Sequence, residues 1–310
     1  MKRSALIIES SNVKGCKYLS GAVKDVENWH QFLRREIAGA WENDEIHVMH
    51  KPRAEVVVNF INQHKNDDYC MVIYTGHGAE VKKSRKSIPH VILNEKDCLV
   101  DVKYLTPKSS KGILISDACR STIEQNSSFM TASSYGFVLG SAAVYPNVLF
   151  EIPSASTIRS FGDKFKDFEN EFMDTVAWDF NISPTIPSPW MFSPLSIVFK
   201  LAVSARQMVR TNTREEFQKK FFQKLSLYSN GVATIYSSSS GEASRDGSAG
   251  GAYLSALLYA IQKWKNSGCC GEVFTTYDAH KNAVDWLKRY NYAQNPEYSN
   301  PNVKFPIAIK

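Results

Sequence analysis

Residues Gly112–Ser121 read GILISDACRS. Three aliphatic residues, Ile113, Leu114 and Ile115, run straight into a polar knot that holds one cysteine, Cys119. A short continuous apolar run bounded by turn residues is the pattern of a strand buried on both faces. A cysteine at the end of such a strand is either a core thiol or a nucleophile. The choice depends on whether a second strand of the same kind delivers a base to the same place. Tyr69–Tyr74 (YCMVIY) is nearly all apolar and continues into Thr75, Gly76, His77 and Gly78.

The surrounding sequence alternates strand and helix. Ser4–Ser10 (SALIIES) is a first strand. Ala22, Val26, Trp29 and Leu33 follow at helical spacing, with Phe32 and Ile37 widening the stripe, so Gly21–Ile37 is expected to be an amphipathic helix stopped near Gly39. Glu45–His50 is a second strand. Pro52 stands where a first-turn proline belongs, ahead of a helix over Ala54–His64. Tyr69–Tyr74 is the third strand and Gly112–Ser116 the fourth, with a small hairpin expected from His90–Leu93 and Cys98–Val100. From Ser121 to Asn230 the rhythm breaks: turn signals such as SPTIPSPW (Ser183–Trp190) dominate until Phe217, Phe221, Leu225 and Tyr228 suggest a helix. Regularity then returns with a strand at Val232–Tyr236, helices at Tyr253–Trp264 and Thr276–Tyr290, and a closing strand at Phe305–Ile309. Apolar strands separated by amphipathic helices imply an α/β fold with a mainly parallel sheet covered on both faces. In such sheets ligands bind beyond the carboxyl ends of the strands. Those ends carry YTGHG and SDACRS.

A thiol becomes a good nucleophile near neutral pH when an imidazole takes its proton, and the same imidazole can later protonate the leaving amine. The glycines flanking His77 remove Cβ atoms where a substrate backbone must come close. The backbone N–H groups of Gly78 and Cys119 are candidate oxyanion donors. Separately, the cysteine and the histidine each have bland readings, as a core thiol and a loop residue. Together, at the ends of two like strands, they make a Cys-His pair.

This ordered set of motifs resembles the caspase-like cysteine peptidases: caspases, paracaspases, metacaspases and bacterial relatives. YTGHG (Tyr74–Gly78) and DAC (Asp117–Cys119) match the His and Cys motifs. YLSGAVKDVENW (Tyr18–Trp29) is similar to the segment after the first strand. YSSSSGEASRDG followed by GGAYLSALLYAI resembles the fifth strand, the specificity loop and the next helix. QNP (Gln294–Pro296) and FPIAI resemble the C-terminal part of the bacterial and metacaspase-type members. The resemblance implies a caspase-hemoglobinase fold: one domain over residues 1–310, a six-stranded, mainly parallel sheet flanked by helices, and an insertion at 121–230 between the fourth and fifth strands. It also implies a Cys119–His77 dyad.

Within that family, the metacaspase and paracaspase branch holds a P1 arginine or lysine with acids two residues before the cysteine and in the segment after strand one. The matching positions here are Asp117 and Asp25, with Glu242 and Asp246 as further acids of the specificity loop. A carboxylate at the cleft floor favours a guanidinium or ammonium and rejects an acidic side chain. The expected activity is therefore an endopeptidase cutting after Arg or Lys. Asp25 has an equally open alternative as a solvated acid on the helix surface. Arg120 stands where metacaspases commonly carry His, as it does in paracaspases and caspases.

The bulk numbers exclude several classes. The 310 residues are 43% hydrophobic with a net charge of +6, and the basic residues are dispersed apart from KKSRK at Lys82–Lys86, expected to be a solvated loop. This is no nucleic-acid stripe. No apolar run approaches the ~18–20 residues of a membrane span, and the N-terminus lacks a signal-peptide core of roughly 7–15 apolar residues. The six cysteines form no CxxC pair, so free thiols in a reducing cytoplasm are expected. Asp67–Asp68 and Glu95–Asp97 lack calcium-loop spacing, so no metal or other cofactor is expected. SSNVKGCKYLSG has no phosphate-loop glycine pattern. The remaining alternatives are a caspase-fold interaction protein and a caspase-like peptidase of acidic P1 preference. Arg159, Lys164, Lys166, Arg206, Arg210, Arg214 and Lys219–Lys220 are possible self-cleavage points. Phe161, Phe165, Phe168, Phe172, Trp178 and Trp190 suggest instead that the insertion packs on the core or on a regulatory protein partner.

Overall fold

The computed structural model describes residues 1–124 and 213–310, apart from positions 15, 84, 85, 98, 248, 269 and 270. In chain order the strands are β1 (Arg3–Ser10), β2 (Ile46–His50), β3 (Tyr69–Gly76), β4 (Gly78–Lys83), β5 (Lys86–Val91), β6 (Val100–Asp101), β7 (Lys111–Asp117), β8 (Thr122–Glu124), β9 (Gly231–Tyr236), β10 (Asp246–Gly247), β11 (Gly250–Gly251), β12 (Val273–Thr275), β13 (Glu297–Tyr298) and β14 (Pro306–Ile309). The described helices are α1 (Ser20–Leu33), α2 (Ala54–Gln63), α3 (213–226), α4 (Ala252–Asn266) and α5 (Thr276–Arg289).

Six strands form the central sheet in the order β13-β9-β7-β3-β1-β2. Five run parallel, and β13 pairs antiparallel with β9. Side chains alternate across a strand, so each central strand feeds two cores. On β1, Ala5 and Ile7 join a cluster with Trp29, Tyr253 and Trp286, while Leu6 and Ile8 join one with Val57, Phe60 and Leu93. On β3, Tyr69, Met71 and Ile73 face the first cluster, and Cys70, Val72 and Tyr74 the second. Every residue of β1 and β3 is buried, which is why Ala5–Ile8 and Tyr69–Tyr74 at their centres read as apolar runs.

Several expectations are sharpened or corrected. The first helix ends at Leu33; a separate 3-10 turn, Glu36–Ala38, carries Ile37 and is closed by Gly39 at φ 92°. Pro52 lies ahead of the helix rather than at its first position, since α2 begins at Ala54 after Arg53. The start of α2 is served by Asp97, whose Oδ2 accepts from Ala54 N at 3.0 Å. FPIAI does not close the central sheet. It supplies β14, which pairs with β12 in a sheet of two, and the sixth central strand is Glu297–Tyr298, too short to leave a pattern. Of KKSRK, Lys82, Lys83 and Lys86 lie on the paired strands β4 and β5 rather than in a free loop, within a second sheet ordered β6-β5-β4-β8, and positions 84 and 85 lie outside the described residues.

Within the segment 121–230, the described part is not an appendage. Helix α3 lays Phe221 and Leu225 into the core. Arg214 Nη2 donates to Trp41 O at 3.1 Å, and Gln218 Nε2 to Ala40 O at 2.8 Å. Two of the suggested cleavage points are thus engaged on a folded helix, Arg214 here and Lys220 near Glu272. Those from Arg159 to Arg210, and the aromatic residues from Phe161 to Trp190, lie outside the described residues. Among the described residues no helix is long and apolar enough to cross a membrane.

Candidate active site

Strands β3 and β7 are parallel neighbours in register, with Thr75 opposite Asp117. Two residues further on, the chain places His77 and Cys119, so the two reactive side chains leave the same edge of the sheet from adjacent strands. The turns that carry them touch. A Cβ on Gly78 would lie 2.7 Å from Ala118 Cβ, 2.8 Å from His90 O and 3.0 Å from Cys119 O. Glycine is required at 78 for this approach.

His77 is half-buried, and its Nε2 lies 2.8 Å from Lys17 O. A carbonyl can only accept, so Nε2 carries the proton and the neutral ring keeps Nδ1 as its basic nitrogen. Burial lowers the imidazole's pKa, opposed by the backbone of Lys17 and of Ser11. The backbone behind the ring is held by Tyr74, whose hydroxyl proton is shared between His77 O at 2.6 Å and Ile92 O at 2.9 Å.

Cys119 is not hydrogen-bonded to His77. Its thiol points at Ser244 O, 3.7 Å away. Burial foremost, and then the charges of Asp117 and Asp246, push its pKa up, against the opposing influence of Arg245. The resting Cys119 is therefore a neutral thiol directed at the Ser244 carbonyl.

Two acids from distant segments meet beneath the thiol. Asp25, on α1, is 1% exposed, which decides against a solvated surface acid. Its carboxylate accepts from Gly251 N at 3.0 Å through both oxygens and from Thr75 Oγ1 at 2.8 Å. Asp117 accepts from Ser244 Oγ through Oδ1, while its buried Oδ2 has no hydrogen-bond partner. Burial, then repulsion from Asp117, raises the Asp25 pKa well above the carboxylate range. Burial likewise raises that of Asp117. A Cβ on Gly251 would lie 2.1 Å from Asp117 Oδ2 and 3.2 Å from Asp25 Oδ2, so the missing side chain at 251 leaves room for both acids.

The other two acids differ. Asp246 is exposed as a residue, and its carboxylate accepts from Gly21 N at 3.2 Å; partial desolvation of that carboxylate against α1, together with Asp117, raises its pKa to about 6. Glu242 is not brought to this cluster. Its carboxylate is taken up by Ser239 N at 3.1 Å, Asn295 N at 2.9 Å and Asn295 Nδ2 at 2.6 Å.

Arg120 turns away from the cleft. It pairs with Glu80 at 3.0 Å and with Glu297, donates to Ser238 O at 3.1 Å and stacks on Tyr236 at 4.5 Å. It ties the cysteine turn to β4, β9 and β13.

Sequence reasoning missed Thr75, Ser244 and Gln294. Gln294 donates to Ser237 O at 2.8 Å and accepts from Arg245 N at 3.1 Å, holding the specificity loop from beneath. The QNP motif was the signal available for it. Ser244 sits in a serine-rich stretch with nothing to distinguish it. Among the acids of Asp67–Asp68 and Glu95–Asp97, Asp67 pairs with Lys2 and His64, Glu95 with Lys51, and Asp97 with Arg53. Among the described residues, no three His, Cys, Asp or Glu side chains gather as a metal site.

The family model described as the caspase domain (Peptidase C14) matches residues 2–306. Similar solved structures include a protein of Geobacter sulfurreducens, at 15% identity and a TM-score of 0.46, covering 96% of this chain and 92% of that one. Another is caspase-1 of Spodoptera frugiperda, at 11% identity and a TM-score of 0.46, covering 96% and 86%. A search of curated protein sequences finds no match.

Proposed function

The chain belongs to the caspase-domain family of cysteine peptidases, and we propose that it is an endopeptidase that cuts proteins or peptides after Arg or Lys, of the metacaspase and paracaspase kind. The observation that carries the basic P1 preference is the pairing of two buried carboxylates, Asp25 and Asp117, with no cation between them among the described residues; Asp117 Oδ2 makes no close hydrogen bond, and Ser237 and the Leu254 N–H give it only weaker support. A buried carboxylate oxygen without a donor is costly, and an arriving guanidinium would supply both the donor and the opposite charge.

His77 Nδ1 takes the Cys119 proton, and the thiolate attacks the P1 carbonyl carbon. The backbone N–H groups of Gly78 and Cys119 receive the oxyanion. As the tetrahedral intermediate collapses, His77 returns the proton to the leaving amine. Water then hydrolyses the thioester with His77 as base. Peptide-library profiling of wild type beside Cys119→Ala is the test. Cleavage after Arg or Lys that vanishes in the variant supports the reading; a P1 Asp preference overturns it.

One observation favours a second reading, an interaction protein of low catalytic power: thiol and imidazole are apart, and Ser244 O holds the thiol. An arginine-directed covalent probe separates the two. Labelling of wild type and not of Cys119→Ala supports the peptidase; no labelling of either supports the scaffold. The segment 121–230 is where self-cleavage or a regulatory protein would act. A wild-type intact mass that stays equal to that of Cys119→Ala, after allowance for the substitution, removes self-cleavage.

A further inference from the structure

The segment after Ser244 is a small antiparallel turn, with Asp246 paired to Gly251 and Gly247 to Gly250. One face of α1 holds it at three points. Gly21 N donates to Asp246 Oδ2 at 3.2 Å, Gly251 N donates to the Asp25 carboxylate at 3.0 Å, and the buried Asn28 Nδ2 donates to Ala249 O at 3.1 Å. Positions 21, 25 and 28 are spaced i, i+4, i+7, a single stripe of a helix.

The first contact also settles how α1 begins. Its N-cap, Leu19, offers no side-chain acceptor, and its first turn contains no acid. A helix start leaves free N–H groups and a partial positive charge that a carboxylate satisfies well. Here the carboxylate comes from 225 residues away. Gly21 makes the fit possible, since a Cβ there would lie 2.1 Å from Asp246 Oδ1 and 2.4 Å from Gly247 O.

We propose that Asp246 is a positioning residue: it caps the N-terminus of α1, pins the specificity loop to the stripe of Gly21, Asp25 and Asn28, and does not itself contact the P1 cation. The dock stands on geometry alone. Its effect on catalysis rests on the peptidase reading.

Asp246→Asn keeps an acceptor for the helix amides and removes the charge; Asp246→Ala removes both. Asn28→Ala loosens the dock about 10 Å along the helix from Gly21. Two measurements are made on the full chain: hydrogen exchange of the amides at Gly21, Ala22, Gly247 and Gly251, and steady-state kinetics on a P1-Arg peptide. In Asp246→Ala those amides are expected to exchange about tenfold faster and KM to rise about tenfold, with kcat little changed. Asp246→Asn is expected to stay within about threefold of wild type on both, and Asn28→Ala to move both in the direction of Asp246→Ala. Equal rises in KM for Asn and Ala at position 246, with exchange unchanged, would make Asp246 a direct P1 ligand and overturn the proposal. So would unchanged exchange in Asp246→Ala. If wild type cleaves no basic-P1 peptide, the peptidase reading fails by itself and the exchange data still decide the dock.

Discussion

Two buried polar clusters flank Cys119, and they are built on opposite plans. On one side Arg120 stands between Glu80 and Glu297 with a carbonyl and an aromatic face to spare. On the other, Asp117 and Asp25 sit together with hydroxyl and amide donors and with one carboxylate oxygen unserved. The first cluster also has unpartnered atoms, Glu80 Oε2 and Arg120 Nε, but its cation stands between two carboxylates, so its charge is matched within the fold. The second is short of a cation, and its acids titrate high because burial, and for Asp25 the neighbouring Asp117, disfavours the charged form. Charge left uncompensated in a folded protein is stability withheld for something that binds.

The sharpest way to break this contrast is to open the closed cluster. Arg120→Met leaves Glu80 buried without its cation and is expected to cost roughly 3–5 kcal/mol of folding stability, measured by denaturant unfolding, with activity lost only as the fold is lost. Asp117→Asn does the reverse. It keeps an acceptor for Ser244 and relieves the repulsion on Asp25, so the thermal midpoint is not expected to fall. Meanwhile kcat/KM on a P1-Arg peptide should drop about a hundredfold, the size of a lost charge-assisted hydrogen bond. A midpoint that falls with activity would place Asp117 in the structural class with Arg120.

A smaller effect is expected from pH. The folded pKa values of Asp25, Asp117 and Asp246 are raised, that of Asp246 to about 6. An acid with a raised folded pKa binds more protons folded than unfolded, so its contribution to stability falls as pH rises from its ordinary value to its folded one. The free protein should therefore lose thermal stability as pH rises from the ordinary carboxylate range through about 6, where Asp246 ionises, while added peptidyl-arginine aldehyde should offset the part of the loss that comes from Asp25 and Asp117, so that its stabilisation grows with pH. An aldehyde effect independent of pH would remove the carboxylates from the pocket. The smallest change is expected at Glu242, whose bonds go to Asn295 and Ser239. Glu242→Gln should cost at most ~1 kcal/mol and leave P1 preference unaltered in library profiling.

The two clusters also differ in how far they could be read in advance. The strands that carry them were legible because full burial on both faces leaves no polar residue to interrupt Leu114 or Val72. Asp117 was legible through its place two residues before the cysteine. The burial of Asp25 was not, because a helix of mixed composition shows its inner face only when the partner segment, here Gly251, is known. Arg120 was read only as a family variant. Its partners lie 40 and 177 residues away, and the second stands on a two-residue strand with no periodicity to announce it. Ser244 escaped for a related reason: its importance comes from where the loop is pinned and not from its chemistry.

Helix α3 carries a separate implication. It lies on the C-terminal side of positions 125–212, yet Phe221 packs against Trp41 and Tyr69, and β9 lies beside β7 along its length. The halves of the molecule are interleaved as cards are in a shuffle. A polypeptide severed anywhere in that stretch would part covalently and stay joined physically, migrating as two bands under denaturing conditions and as one particle in their absence. Loss of continuity and loss of assembly are thus separate events in this architecture.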